Sequence, residues 1–168
     1  MKRFVLSLLL CVGCGCAAAQ DVLDLSGTWQ LQSRLSATNI TLPGSTLTNG
    51  IGDEVTIDTR WTGSLYDSSY YFNPYMERYR KAGQMKFPFF LTPSRHFVGE
   101  ATYSRIVSAP RSWKGRRITL YLERPHIETT VYVNGKEVGH QMSLSVPHQY
   151  DVTAFLRPGH DNEITIRV

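Results

Sequence analysis

Apolar residues in this chain recur at every second position over several short stretches, the period of a strand with one buried face. Residues 28–33 and 38–42 read as two strands joined by a short polar turn, with Ile40 and Leu42 turned inward. Further strands are expected over residues 101–107, 117–123, 128–133, 137–140 and 163–168. The clearest pattern surrounds Asn134-Gly135. Ile127, Thr129, Val131 and Val133 are expected on one face, and Glu128, Thr130 and Tyr132 on the other. Asn134 and Gly135 both tolerate positive φ, which a two-residue type I′ hairpin requires. Several short strands punctuated by turn signals predict an all-β domain, a two-layer sandwich or jelly roll.

A chain of 168 residues with 42% hydrophobic content is long enough for one domain with its own core. Its first residues have a different logic. Lys2-Arg3, the apolar run from Phe4 to Leu10 and the small residues Ala17-Ala18-Ala19 form the three parts of a signal peptide, 1–19, leaving a mature domain of residues 20–168. The apolar run is shorter than the roughly 20 residues that cross a bilayer, so export to the periplasm or the extracellular space is expected rather than membrane insertion. All three cysteines, Cys11, Cys14 and Cys16, lie in this leader, and cleavage after Ala19 would remove disulfides, thiolate metal sites and cysteine nucleophiles together. The alternative is a lipid anchor on Cys14 or Cys16. Neither has the full context of such a site, because Cys11 takes the place of the aliphatic residue before Cys14, and Gly13-Cys14-Gly15 precedes Cys16.

The net charge of +4 includes Lys2 and Arg3, so the chain without them carries two charges fewer, +2. No basic run extends beyond Lys114-Gly115-Arg116-Arg117, which opens an alternating strand. A nucleic-acid partner is therefore not expected.

Residues 46–100 break the strand pattern. Eleven aromatic residues lie from Trp61 to Phe97. One short helix is expected within this insertion, with Asn73 as N-cap, Pro74 in the first turn, Arg78, Arg80 and Lys81 near its C-terminus and Gly83 ending it. Aromatic rings with a few carboxylates and a guanidinium group among them make the recipe of a ligand pocket. The candidate substrate-binding residues are accordingly Asp53, Arg60, Trp61, Asp67, Tyr70 and Tyr71. The competing role for these aromatics is to glue the insertion to the sandwich or to a neighbouring domain.

Catalytic chemistry is harder to find. Glu123, Glu128 and Glu163 fall on the polar faces of strands, Glu100 precedes a strand and Glu137 follows a turn, all settings for solvated carboxylates. His126, His140, His148 and His160 are dispersed, and His96 lies in the insertion, so no metal site is expected. No phosphate-cradling glycine loop or nucleophile elbow occurs, and no cofactor is expected.

Several blocks nonetheless stand in a telling order: Leu25-Ser26-Gly27-Thr28-Trp29-Gln30-Leu31, Leu42-Pro43-Gly44-Ser45, Tyr103-Ser104-Arg105, residues 113–124, the Asn134-Gly135 hairpin, then residues 150–159 and 162–168. Together they resemble the N-terminal jelly-roll, sugar-binding domain of glycoside hydrolase family 2, the group of β-galactosidases, β-glucuronidases and β-mannosidases. The resemblance covers residues 25–45 and 100–168. It departs at Thr102, where the family has Trp, and throughout the insertion. The resemblance implies a galactose-binding-domain-like jelly roll. It also implies a retaining glycosidase whose two catalytic glutamates lie in a (β/α)₈ barrel after two β domains, so none of them is encoded here. The expected partners are a carbohydrate substrate and the following β and barrel domains of the same polypeptide. The rival functions are a stand-alone carbohydrate-binding module without hydrolase activity and a spacer that buttresses a barrel without touching sugar.

Overall fold

The computed structural model describes residues 20–55 and 95–168, and its architecture is the all-β sandwich expected. Among the described residues ten strands form: β1 Gly27–Ser33, β2 Ala37–Leu42, β3 Asp53–Glu54, β4 Arg95–His96, β5 Ala101–Ser108, β6 Thr119–Leu122, β7 Ile127–Val133, β8 Lys136–Ser143, β9 His148–Asp151 and β10 Asp161–Arg167. Six of them make one sheet in the order β2-β1-β5-β10-β7-β8, paired antiparallel throughout. β6 and β9 form a second ladder, and β3 and β4 a third.

Alternation explains which residues lie between the layers. Trp29 and Leu31 on β1, Ile40 on β2, Val131 and Val133 on β7, and Ile164 and Ile166 on β10 point into the core from the large sheet. Leu120, Tyr150 and Val152 meet them from the β6–β9 side. Leu42 is half-buried against the same cluster. Each such side chain contributes about 1.5–3 kcal/mol when fully buried, so this cluster is what keeps the layers together.

Two expectations about β7 need correction. Ile127 does not share the inward face of Thr129, Val131 and Val133. Its φ of 75° takes it out of the alternation, and it is 44% exposed. Thr130, expected on the polar face, is only 5% exposed. β7 lies between β10 and β8, so Arg167 and His140 stand opposite Thr130 on either side and cover it. The strand expected over 117–123 is shorter, Thr119–Leu122, and β9 was not anticipated.

The hairpin turn is as predicted. Asn134 and Gly135 have φ of 52° and 76°. Asn134 does more than turn the chain. Its Nδ2 donates to Phe155 O at 3.0 Å and to Asn162 Oδ1 at 2.9 Å, while its Oδ1 accepts from Glu163 N at 3.2 Å and Arg157 Nη2 at 3.1 Å. Asn162, 1% exposed, closes the network by donating to the carbonyls of Arg157 and His160 and accepting from Arg157 N. One polar cluster therefore fastens the β7–β8 turn to the loop leading into β10.

Candidate functional site

Of the sugar-binding candidates, Asp53 lies among the described residues, and it stands where the aromatic insertion leaves the domain. Arg60, Trp61, Asp67, Tyr70 and Tyr71 lie outside them, as does the expected helix at Asn73–Gly83. The neck is a two-rung ladder, Asp53 opposite His96 and Glu54 opposite Arg95. Arg34, in the β1–β2 turn, holds it from one side. Its Nη2 meets Asp53 Oδ2 at 2.5 Å, its Nε donates to Val98 O at 2.9 Å, and its guanidinium lies 5.6 Å from the Phe97 ring centroid. Arg95 Nη1 donates to Gly52 O at 2.9 Å across the strands. Gly52 has a φ of 152°, and a Cβ there would stand 3.1 Å from Arg95 Cβ and 3.2 Å from His96 O, so the close approach of the strands needs glycine. The Arg34–Asp53 pair is about half-exposed, worth a fraction of a kcal/mol by itself. Its value is positional: it ties the β1–β2 turn to the β3–β4 ladder.

Sequence reasoning missed Arg34, for a lone arginine in a turn carries no signal. It also missed a buried polar cluster between the layers. His148, 1% exposed, lies against Thr129, 0% exposed, with Thr129 Oγ1 2.6 Å from Nδ1 and Ser143 O 3.3 Å from Nε2. A carbonyl can only accept, so Nε2 donates to Ser143 O, while Nδ1 and the Thr129 hydroxyl share the second contact. Tyr150 OH donates to Thr129 O at 2.9 Å and sits 2.7 Å from Thr129 Oγ1, and burial pushes its phenol pKa up, which keeps it protonated. Hydroxyl, imidazole and phenol meet here as in a catalytic constellation, but they are sealed from solvent. Their role is to join β7 to β9. Alternation in His148-Gln149-Tyr150-Asp151 was the signal available for β9.

The described carboxylates behave as solvated or paired groups. Asp21 meets Arg116 at 2.7 Å, Asp151 meets Arg117 at 3.1 Å, and Glu128 meets His140 at 2.8 Å. Hydrogen bonds from the Ser26 side chain and backbone hold Asp24 below the usual carboxylate range, and those from Thr153 do the same for Asp151. Both are poor proton donors near neutrality. Among the described residues no group of histidine, aspartate and glutamate could hold a metal ion.

The described residues define a two-layer antiparallel β-sandwich, with Arg34 tying the β1–β2 turn to the β3–β4 ladder. The comparisons assign it. The family model for glycosyl hydrolases family 2, sugar binding domain, matches residues 22–168, and the chain belongs to that family. It is 34% identical over 74 residues to a β-glucuronidase of Paenibacillus borealis, covering 44% of this chain and 12% of that protein. It is 25% identical over 150 residues to a β-galactosidase of Psychromonas ingrahamii, covering 86% of this chain and 13% of that one. Among solved structures, the β-D-glucuronidase of Dictyoglomus thermophilum superposes with a TM-score of 0.52 at 20% identity, over 86% of this chain and 19% of that chain. A Ruminococcus gnavus β-glucuronidase does so with a TM-score of 0.53 at 14% identity, over 86% of this chain and 20% of its own, so the structural likeness is one of fold. The chain spans about an eighth of the curated relatives and a fifth of these solved chains.

Proposed function

We propose that this chain is the N-terminal sugar-binding and structural domain of an exported, retaining glycoside hydrolase acting on a β-glycoside. The catalytic acid/base and nucleophile would lie in barrel residues of the same polypeptide, beyond the stretch described here. The family match over residues 22–168, together with the much greater length of the glucuronidase and galactosidase relatives, carries this reading. The domain's share in the chemistry is positioning. The Arg34–Asp53 pair steadies the β3–β4 ladder, and in this reading Trp61, Tyr70 and Tyr71 stack on sugar faces while Arg60 and Asp67 bind hydroxyls. Asp53 accepts from Arg34 through Oδ2, which leaves Oδ1 to accept from a sugar hydroxyl. Residues 1–19 serve as the export signal, with a lipid anchor on Cys14 or Cys16 as the alternative end. In the complete polypeptide, Trp61→Ala or Asp67→Ala should raise KM or lower kcat/KM on aryl β-glucuronides or β-galactosides. Unchanged kinetics with a lowered Tm would assign the insertion to packing instead. Mass spectrometry of the purified protein's N-terminus should find Gln20 or a lipidated cysteine, and a retained Met1 would refute export.

A further inference from the structure

The dipeptide Asn-Gly occurs twice in the chain, at Asn49-Gly50 and Asn134-Gly135, and the structure sets the two copies apart. We propose that Asn49-Gly50 is a self-modification site, where the carboxamide converts to a carboxylate with water as the only co-reactant, and that Asn134-Gly135 is guarded against the same reaction. The peptide nitrogen of the glycine, having given its proton to solvent base, attacks Cγ of the asparagine. A new N–C bond closes a cyclic imide, the Cγ–Nδ2 bond breaks, and Nδ2 leaves as ammonia after taking a proton from water. Water then adds to either imide carbonyl and opens the ring to aspartate or isoaspartate. A side chain on the following residue would shield that nitrogen, and glycine has none. Both glycines are exposed, with φ of 75° and 76° and open space where a Cβ would stand.

What differs is how much must open before Cγ can swing over the glycine nitrogen. Asn49 Oδ1 accepts from Thr41 N at 2.9 Å, and its Nδ2 donates to Ser45 O at 2.9 Å and Thr41 O at 3.2 Å. Gly50 N donates to Leu47 O at 3.0 Å. These partners all lie within residues 41–47, Thr41 and Ser45 are exposed, and β2 is the outer strand of its sheet, so the segment opens as a local unit. Asn134 is held instead by partners in residues 155–163, among them Asn162, 1% exposed, and its own N donates to Glu163 O at 2.8 Å. Freeing its carboxamide parts the β7–β8 turn from the loop into β10. The product at Asn49 has a structural consequence. A carboxylate there faces Thr41 O and Ser45 O with no proton to give, and isoaspartate adds a carbon to the main chain, so the link from β2 to β3 loses its hold on Thr41.

The test is peptide-mapping mass spectrometry of the 168-residue chain held at mildly alkaline pH, folded and in denaturant, with the acid products at each site followed over time. In denaturant the two sites should convert at similar rates. In the folded chain Asn49 should convert at least about tenfold faster than Asn134, the factor that one or two further hydrogen bonds on the carboxamide impose. Below its Tm, Asn162→Ala should speed Asn134 about tenfold and leave Asn49 unchanged, so Asn49 in the same sample controls for global unfolding. The proposal is overturned if Asn49 stays intact in the folded chain while the denatured chain converts, if Asn134 converts as fast as Asn49 in the folded chain, or if Asn162→Ala speeds both sites equally. The reaction needs neither sugar nor the insertion, so kinetic effects of Trp61 or Asp67 variants bear on the proposed function alone.

Discussion

Removing Asn162 tests whether the polar cluster behind the hairpin turn holds the sandwich together. Asn162 is 1% exposed and makes four hydrogen bonds through its side chain. Asn162→Ala leaves Arg157 N and Asn134 Nδ2 without their acceptor, and the carbonyls of Arg157 and His160 without their donor. A buried group without a partner costs about 1–3 kcal/mol, but those nearest the surface regain water, so a loss of about 3 kcal/mol is expected. For a domain of this size that corresponds to a fall in Tm of about 6–12 °C, read by circular dichroism or calorimetry. Asn134→Gly keeps the positive φ and removes the shared Asn134–Asn162 bond, so it should cost about 1–2 kcal/mol. The two losses should be less than additive, with a coupling of about 1 kcal/mol in a double-mutant cycle. A Tm for Asn162→Ala within about 1 °C of the parent, or strict additivity, would refute the reasoning.

Gly135→Val forces a β-branched residue to a φ near 76° and should cost about 1–2 kcal/mol, while leaving any sugar affinity of the folded fraction intact. Loss of affinity at unchanged stability would make the turn a ligand loop. Asp24 and Asp151 are held below their usual pKa in the folded chain, so their contribution to stability is present above the ordinary carboxylate value and is lost as pH falls through the lower folded value. Chemical denaturation between neutral and strongly acidic pH should therefore show stability falling in the acid limb. Asp24→Asn/Asp151→Asn should flatten that limb, and an unchanged acid limb would contradict the assigned hydrogen bonds.

Much of the fold was legible because period-2 alternation and one strong turn signal act locally. β1, β2, β5, β7 and β10 lie within a residue or two of their expected bounds, and the Asn134-Gly135 turn has the required φ values. The failures have tertiary causes. Thr130 is buried by its cross-strand neighbours Arg167 and His140, and a strand's own alternation cannot report cross-strand cover. His148 is a polar residue in the core because Thr129 and Ser143 satisfy both ring nitrogens, partners 19 and 5 residues away in sequence. The neck was legible only in Asp53, for Arg34 gains its meaning from contacts with Asp53, Phe97 and Val98 that folding alone creates.

The central claim, that this stretch is the non-catalytic N-terminal domain of a family 2 glycosidase, is tested most directly by hydrolysis of nitrophenyl β-glucuronide and β-galactoside. The 168-residue chain and the complete polypeptide should be assayed side by side. In the proposed reading turnover comes from the complete polypeptide alone, because the carboxylate pair needed to protonate the leaving group and attack the anomeric carbon would lie in the barrel and not in the sugar-binding domain that residues 22–168 match. Hydrolysis by the 168-residue chain itself, abolished by changing one of its own glutamates such as Glu163→Gln, would contradict it.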